Sequence, residues 1–165
     1  MDIESPEAKR CLEALSQIDE ELAYLAALTA QGVKPMSRWE KALSDDTLDQ
    51  LAKLNLSVER IRRSVKTGKE VIETVFGRTP AYIELYRQRF DNTPIDKSAA
   101  TQRFEGFLFG YPPCCIEQYS RRPYAPNNLS EEDRKILFHW PCKDCRVTPT
   151  LLPAYRAVHN CLCKY

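Results

Sequence analysis

Apolar residues recur at helical spacing along much of this chain. Leu12, Leu15, Ile18, Leu22 and Leu25 follow one another at steps of three and four, with acidic residues between them. That pattern predicts an amphipathic helix over residues 5 to about 31. Ser5-Pro6-Glu7 supplies an N-cap and a proline at the first helical position, while Gly32 and Pro35 close the segment. A connector over 33–43 carries Trp39, and Ser44-Asp45-Asp46 opens a second segment with acids at its positive end. Leu51, Leu54, Val58, Ile61, Val65, Gly68, Ile72 and Val75 alternate steps of three and four, the seam of a coiled coil or helical hairpin. The expectation for residues 1–79 is an antiparallel helical hairpin, a scaffold or assembly arm for a homo-oligomer or a protein partner.

Shorter elements follow. Residues 80–90 read as a helix with Tyr82, Leu85, Tyr86 and Phe90 on one side, ended by the turn Asp91-Asn92-Thr93-Pro94. Asp96-Lys97-Ser98 caps another helix, and a further one is predicted over 113–121 behind the rigid pair Pro112-Pro113. Ser130-Glu131-Glu132-Asp133 resembles a capping box, opening a helix that runs through Ile136, Leu137 and Phe138 to Pro141, with His139 in its last turn. Thr148 or Thr150 caps a final helix holding Leu151, Leu152, Tyr155, Val158 and His159. With no convincing strand in view, the predicted fold class is all-α: the hairpin, then a loop-rich helical Cys/His domain over 80–165.

Composition narrows the setting. A net charge of +1 gives no field for nucleic acid or an acidic membrane, and no apolar run nears the roughly 20 residues needed to span a bilayer. Arg60, Arg62, Arg63, Lys66 and Lys69 form a basic stretch, but acids flank it and no stacking aromatics interleave, so a solvated or acid-paired face is expected and no nucleic acid. The opening residues are acidic and lack an apolar core, which points away from an export signal and toward the cytoplasm.

The seven cysteines change the picture more. They stand at 11, 114, 115, 142, 145, 161 and 163, an odd count concentrated in the last third of the chain. In a reducing compartment such thiols are ligands or redox groups rather than disulfides. Cys11 lies beside the first apolar face and reads as a core thiol. Cys142-x-x-Cys145 has the spacing at which two thiolates reach one metal ion. Cys114 and Cys115 follow a Gly-Tyr-Pro-Pro turn at a helix start, where the helix dipole favours a thiolate. His139, three residues before Cys142, is in reach as a further ligand or proton carrier. His159, Cys161 and Cys163 are peripheral candidates.

The run Glu105-Gly106-Phe107-Leu108-Phe109-Gly110-Tyr111-Pro112-Pro113-Cys114-Cys115-Ile116, with His139-x-x-Cys142-x-x-Cys145 behind it, resembles a prokaryotic family of unknown function. That family is marked by a Gly-Tyr-Pro-x-Cys-Cys motif and a later His/Cys cluster, and the likeness covers roughly residues 100–160. It implies a shared site on Cys114, Cys115, His139, Cys142 and Cys145 and imports no reaction. The residues themselves support a metal- or iron–sulfur-binding protein, with zinc and a cluster both compatible with four thiolates. A second reading is a thiol-dependent redox or transfer enzyme, with Cys114 or Cys115 as nucleophile, His139 as base, and Arg103, Arg121 and Arg122 near an anionic substrate. A third is an interaction module stapled by a structural zinc. No glycine-rich phosphate loop, serine elbow or spaced carboxylate pair supports nucleotide-dependent or hydrolytic chemistry.

Overall fold

The computed structural model describes residues 3–162, which divide into two compact units, Met1–Ile95 and Asp96–Tyr165. The fold is mixed α/β, which corrects the all-α expectation. In the first unit, α1 (Pro6–Ser16) and α2 (Glu20–Ala30) lead to β1 (Met36–Trp39) and α3 (Asp45–Lys53). Then come β2 (Ser57–Ser64), β3 (Glu70–Gly77), α4 (Pro80–Phe90) and the short β4 (Thr93–Pro94). The strands form one sheet in the order β1-β3-β2-β4, antiparallel except for the parallel β2–β4 edge.

The helical hairpin is therefore absent, and the reason is local. Residues 57–77 are dense in β-branched side chains, among them Val58, Ile61, Val65, Val71, Ile72, Thr74 and Val75, which lose rotamer freedom in a helix and pack well on a pleated surface. Gly68, counted above among the seam positions of a helix, is the corner of a hairpin: its φ is 83°, and Val65 N–H bonds the carbonyl of Lys69 at 2.9 Å. The first predicted helix is likewise two helices, because Asp19 caps α2 through a 2.9 Å bond accepted from Glu21 N–H. The connector over 33–43 supplies β1.

The sheet is covered on both faces. Thr29 of α2 bonds Ser37 side chain to side chain at 2.8 Å, placing α2 over the face that bears Phe76, which pairs with Ser37 in the ladder. On the opposite face lie Ile61, Arg63 and Glu73, where Tyr86 of α4 donates to Glu73 at 3.0 Å. Arg63 approaches the same carboxylate at 3.7 Å and stacks over Phe90 at 4.6 Å. The basic stretch is thus split by strand alternation. Arg60 faces solvent and pairs with Asp45 at 2.7 Å, while Arg63 is enclosed and acid-paired. Cys11 is buried in the core, as its apolar neighbours predict. Lys34 is also enclosed, only 1% exposed, and burial lowers its pKa to about 7.

The second unit is helical: α5 (Ala99–Leu108), α6 (Pro113–Arg121), α7 (Glu131–Lys135) and α8 (Thr148–Leu162). Ser98 caps α5 and Ser130 caps α7, each accepting the backbone N–H three residues on. Gly110, with φ 73°, turns the chain out of α5, and Tyr111 N–H closes the turn on the carbonyl of Gly106 at 2.8 Å. A Cβ on Gly106 would collide with Ile116 Cδ1, so this glycine lets α5 and α6 approach closely. Arg156 of α8 forks onto Asp133 of α7 at 2.7 and 2.8 Å. The helix opened by Ser130 is shorter than predicted: it stops at Lys135, and Ile136 to Pro141 form a loop that contains His139. Among the described residues, no helix is long and apolar enough to cross a membrane.

Candidate metal centre

Three local structures bring four cysteines together inside the second unit. The first is the start of α6. Pro112 and Pro113 fix the entry angle, and Cys115 N–H and Ile116 N–H both bond the carbonyl of Pro112, at 2.9 and 3.1 Å. Cys114 and Cys115 therefore leave the first helical turn on adjacent bearings, which lets both sulfurs reach one point. The second is a turn over Cys142-Lys143-Asp144-Cys145, closed by Cys145 N–H on the carbonyl of Cys142 at 3.2 Å. The third is the start of α8, where Thr148 donates its N–H back to Cys145 Sγ at 3.2 Å. That sulfur occupies the role a capping side chain plays three residues ahead of its donor.

The four sulfurs lie within 4.8 Å of one another. Cys115 to Cys145 is 3.4 Å, Cys114 to Cys145 is 3.7 Å, and Cys114 to Cys115 is 4.0 Å. Cys115 is buried and accepts Cys142 N–H at 3.3 Å, Cys142 and Cys145 are half-buried, and Cys114 is exposed. A group of four thiols this tight is able to hold a metal ion, as the spacing of the cysteines predicts.

The thiols are not equivalent. Burial pushes Cys115 up, and Cys142 N–H and the Thr148 hydroxyl offset this only in part. Burial also raises Cys142, to about 11, with the neighbouring thiol of Cys114 adding to it. At Cys145 burial works in the same direction but is outweighed. The hydroxyl and N–H of Thr148, the thiol of Cys115 and the N–H of Val147 all favour the thiolate and bring it to about 6. Cys145 is thus set up to give its proton first when a cation arrives.

His139 stands one layer out. Its Nε2 is 2.8 Å from Thr148 Oγ1, which is itself 3.2 Å from Cys145 Sγ and 3.6 Å from Cys115 Sγ. The imidazole reaches the cluster through that hydroxyl, and its ring also packs on Tyr111, 5.4 Å between centroids. Thr148 is the site residue that sequence reasoning treated only as a helix cap. The signal was the repeat of one spacing, Cys142-x-x-Cys145-x-x-Thr148, which brings the hydroxyl back under the second sulfur. Arg103 and Arg121 both pair with Glu117, at 2.8 Å each, which accounts for two of the three cations considered for an anionic substrate. His159 and Cys161 lie in the last turns of α8 and are not members of the four-thiol group, and Cys163 lies outside the described residues.

Beside the centre, a cavity of about 520 Å³ opens between α5, α6 and the start of α8, lined by Phe107, Tyr111, Pro113, Ile116, Val147 and Leu151 among others. Comparison of the chain with protein families, curated proteins and solved structures finds no match.

Proposed function

We propose that the second unit is a zinc-binding module in which Cys114, Cys115, Cys142 and Cys145 hold one ion as a tetrathiolate. The observation that carries this reading is the sulfur spacing. Four sulfurs at about 2.3 Å from a single tetrahedral ion stand about 3.8 Å apart. Three of the six separations, 3.4, 3.7 and 4.0 Å, bracket that value, and all six lie within 4.8 Å. An iron–sulfur cluster places several metal and sulfide atoms between its cysteines and needs them farther apart. The donor set agrees with a closed structural or thiolate-reactive zinc site, because all four ligands are soft sulfurs.

The surrounding groups fit the same reading. Thr148 and the amides of Cys142 and Val147 donate to bound sulfurs, and His139 orients the threonine hydroxyl, the outer support that thiolate sites require. Holding the ion ties the start of α6 to the loop before α8. A reducing, cytoplasmic setting is part of this proposal, since the ligands must remain thiolates.

Metal analysis of protein purified without added metal tests it. A colourless protein with one zinc per chain, lost when Cys115 or Cys142 is replaced by serine, is the expected result. A coloured protein with iron and sulfide in cluster ratio, or a wild-type protein that takes up no zinc, refutes it.

A further inference from the structure

Two independent features separate Cys114 from the other three ligands. The first is access: Cys115 is 1% exposed and Cys142 and Cys145 are half-buried, whereas Cys114 faces solvent. The second is the lack of shielding. Cys115 Sγ accepts Cys142 N–H at 3.3 Å, and Cys145 Sγ accepts Thr148 N–H at 3.2 Å with the threonine hydroxyl also at 3.2 Å. Cys114 Sγ meets only the sulfurs of the cluster, among them Cys115 at 4.0 Å and Cys145 at 3.7 Å. An N–H or O–H donated to a thiolate draws charge from sulfur and lowers its attacking power. Cys142 shares the lack of amide donors but not the exposure.

Four thiolates around a divalent cation carry two net negative charges, and no lysine or arginine among the described residues donates to any of the four sulfurs. Metal coordination keeps such a sulfur deprotonated at neutral pH, and the thiolate, not the thiol, is the nucleophile. The excess charge is concentrated where it is least hydrogen-bonded and most accessible.

We propose that Cys114 is the reactive ligand of this centre, an acceptor that takes an alkyl group from a soft carbon electrophile while the other three sulfurs stay in place. This rests on the tetrathiolate zinc reading above. Cys114 Sγ donates a lone pair to the electrophilic carbon and forms the S–C bond. The bond from that carbon to its leaving group breaks, and the leaving group departs with the electron pair. Cys114 becomes a neutral thioether and the centre loses one negative charge. No oxidant, reductant or proton is consumed. The substrate class is a small alkylating electrophile, and the relief of surplus negative charge drives the transfer.

The test is competition among the four sulfurs of zinc-loaded, full-length protein. Iodoacetamide in substoichiometric amount serves as the electrophile, with iodide leaving. The reaction is quenched in denaturant with a second, distinguishable alkylating label. Peptide fragmentation then separates the adjacent Cys114 and Cys115. The expected result is about tenfold more first label on Cys114 than on any of Cys115, Cys142 or Cys145. Zinc-saturated Thr148→Val, which strips a hydroxyl donor from Cys145, is expected to raise the share on Cys145. Zinc retained with label spread evenly over the four, or with Cys142 or Cys145 ahead, overturns the assignment of Cys114 and leaves the metal centre standing. Failure of the wild-type protein to hold zinc overturns both. The wild-type measurement decides the matter whether or not Cys114→Ser folds.

Discussion

The two units of this chain solve the same stability problem by different means. In the first, a four-stranded sheet is covered on both faces by helices, and 25 apolar residues are buried among those described. That core carries Arg63, Glu73 and Lys34 inside it and still holds together. Among its described residues the second unit buries nine apolar ones, from Leu108 to Val158, one of them the candidate ligand Cys115. A unit of that size with so small a core is in the range where a metal or cross-link supplies what apolar burial does not. The difference teaches where function is to be sought. In the first unit the unusual residues are absorbed by packing, whereas in the second they converge on one another.

The comparison predicts its own sharpest break. On the zinc proposal, stripping the ion with a strong chelator, or preventing its binding by Cys115→Ser, should unfold the second unit and leave the first intact. Structural zinc contributes on the order of 10 kcal/mol to such modules. Hydrogen exchange read separately over residues 3–95 and 96–162 checks this, and equal loss of protection in both stretches would erase the contrast between the units.

The second prediction runs the other way, a stabilisation confined to the first unit. Lys34 titrates at about 7 in the fold because burial disfavours its charge, against about 10.4 for a free lysine. Between those values the unfolded chain holds a proton that the folded chain lacks, so stability rises with pH across that window and is flat below it. Lys34→Met should therefore stabilise the unit most at and below pH 7, by roughly 4 kcal/mol for a shift of this size, and the gain should vanish above about pH 10. Denaturant melts at pH 6, 8 and 10 read the effect. A gain that does not change with pH would assign it to packing alone.

Smaller effects probe the frame of the metal centre. Gly106→Ala drives a methyl group into Ile116 and should cost the second unit about 2 kcal/mol as overpacking, with Ile116→Val recovering part of it. Recovery in the double variant is the decisive reading, because a pure backbone effect would not respond to position 116. Thr148→Val should weaken zinc binding about tenfold while leaving the first unit's melt unchanged. Competition against a chromophoric chelator measures it, and an unchanged affinity would remove Thr148 from the centre's support.

Much of the site was legible because metal ligation has a local grammar. The Cys142-x-x-Cys145 turn and the Pro-Pro entry into Cys114-Cys115 each encode their geometry within a few residues. The caps at Ser5, Ser44, Ser98 and Ser130 were legible for the same reason. The sheet was not, since steps of three and four drawn from Leu51 to Val75 ignore which of those residues are β-branched. Strand pairing such as Ile61 with Glu73 adds neighbours that no helical wheel contains. Arg63 is acid-paired, one of the two expectations for the basic stretch, but its enclosure was not legible because its partner Glu73 lies on the neighbouring strand.

Sequence by itself therefore determined the chemistry available: four soft thiols in two local pairs, a nearby imidazole, and stiff turns that aim them. Only the tertiary structure decided that the pairs meet, that Thr148 stands between His139 and the sulfurs, and that Cys114 is the one left open. The physical reason is that bond geometry and capping act within a few residues, whereas burial and hydrogen-bond donation to each sulfur depend on segments about thirty residues apart in the chain.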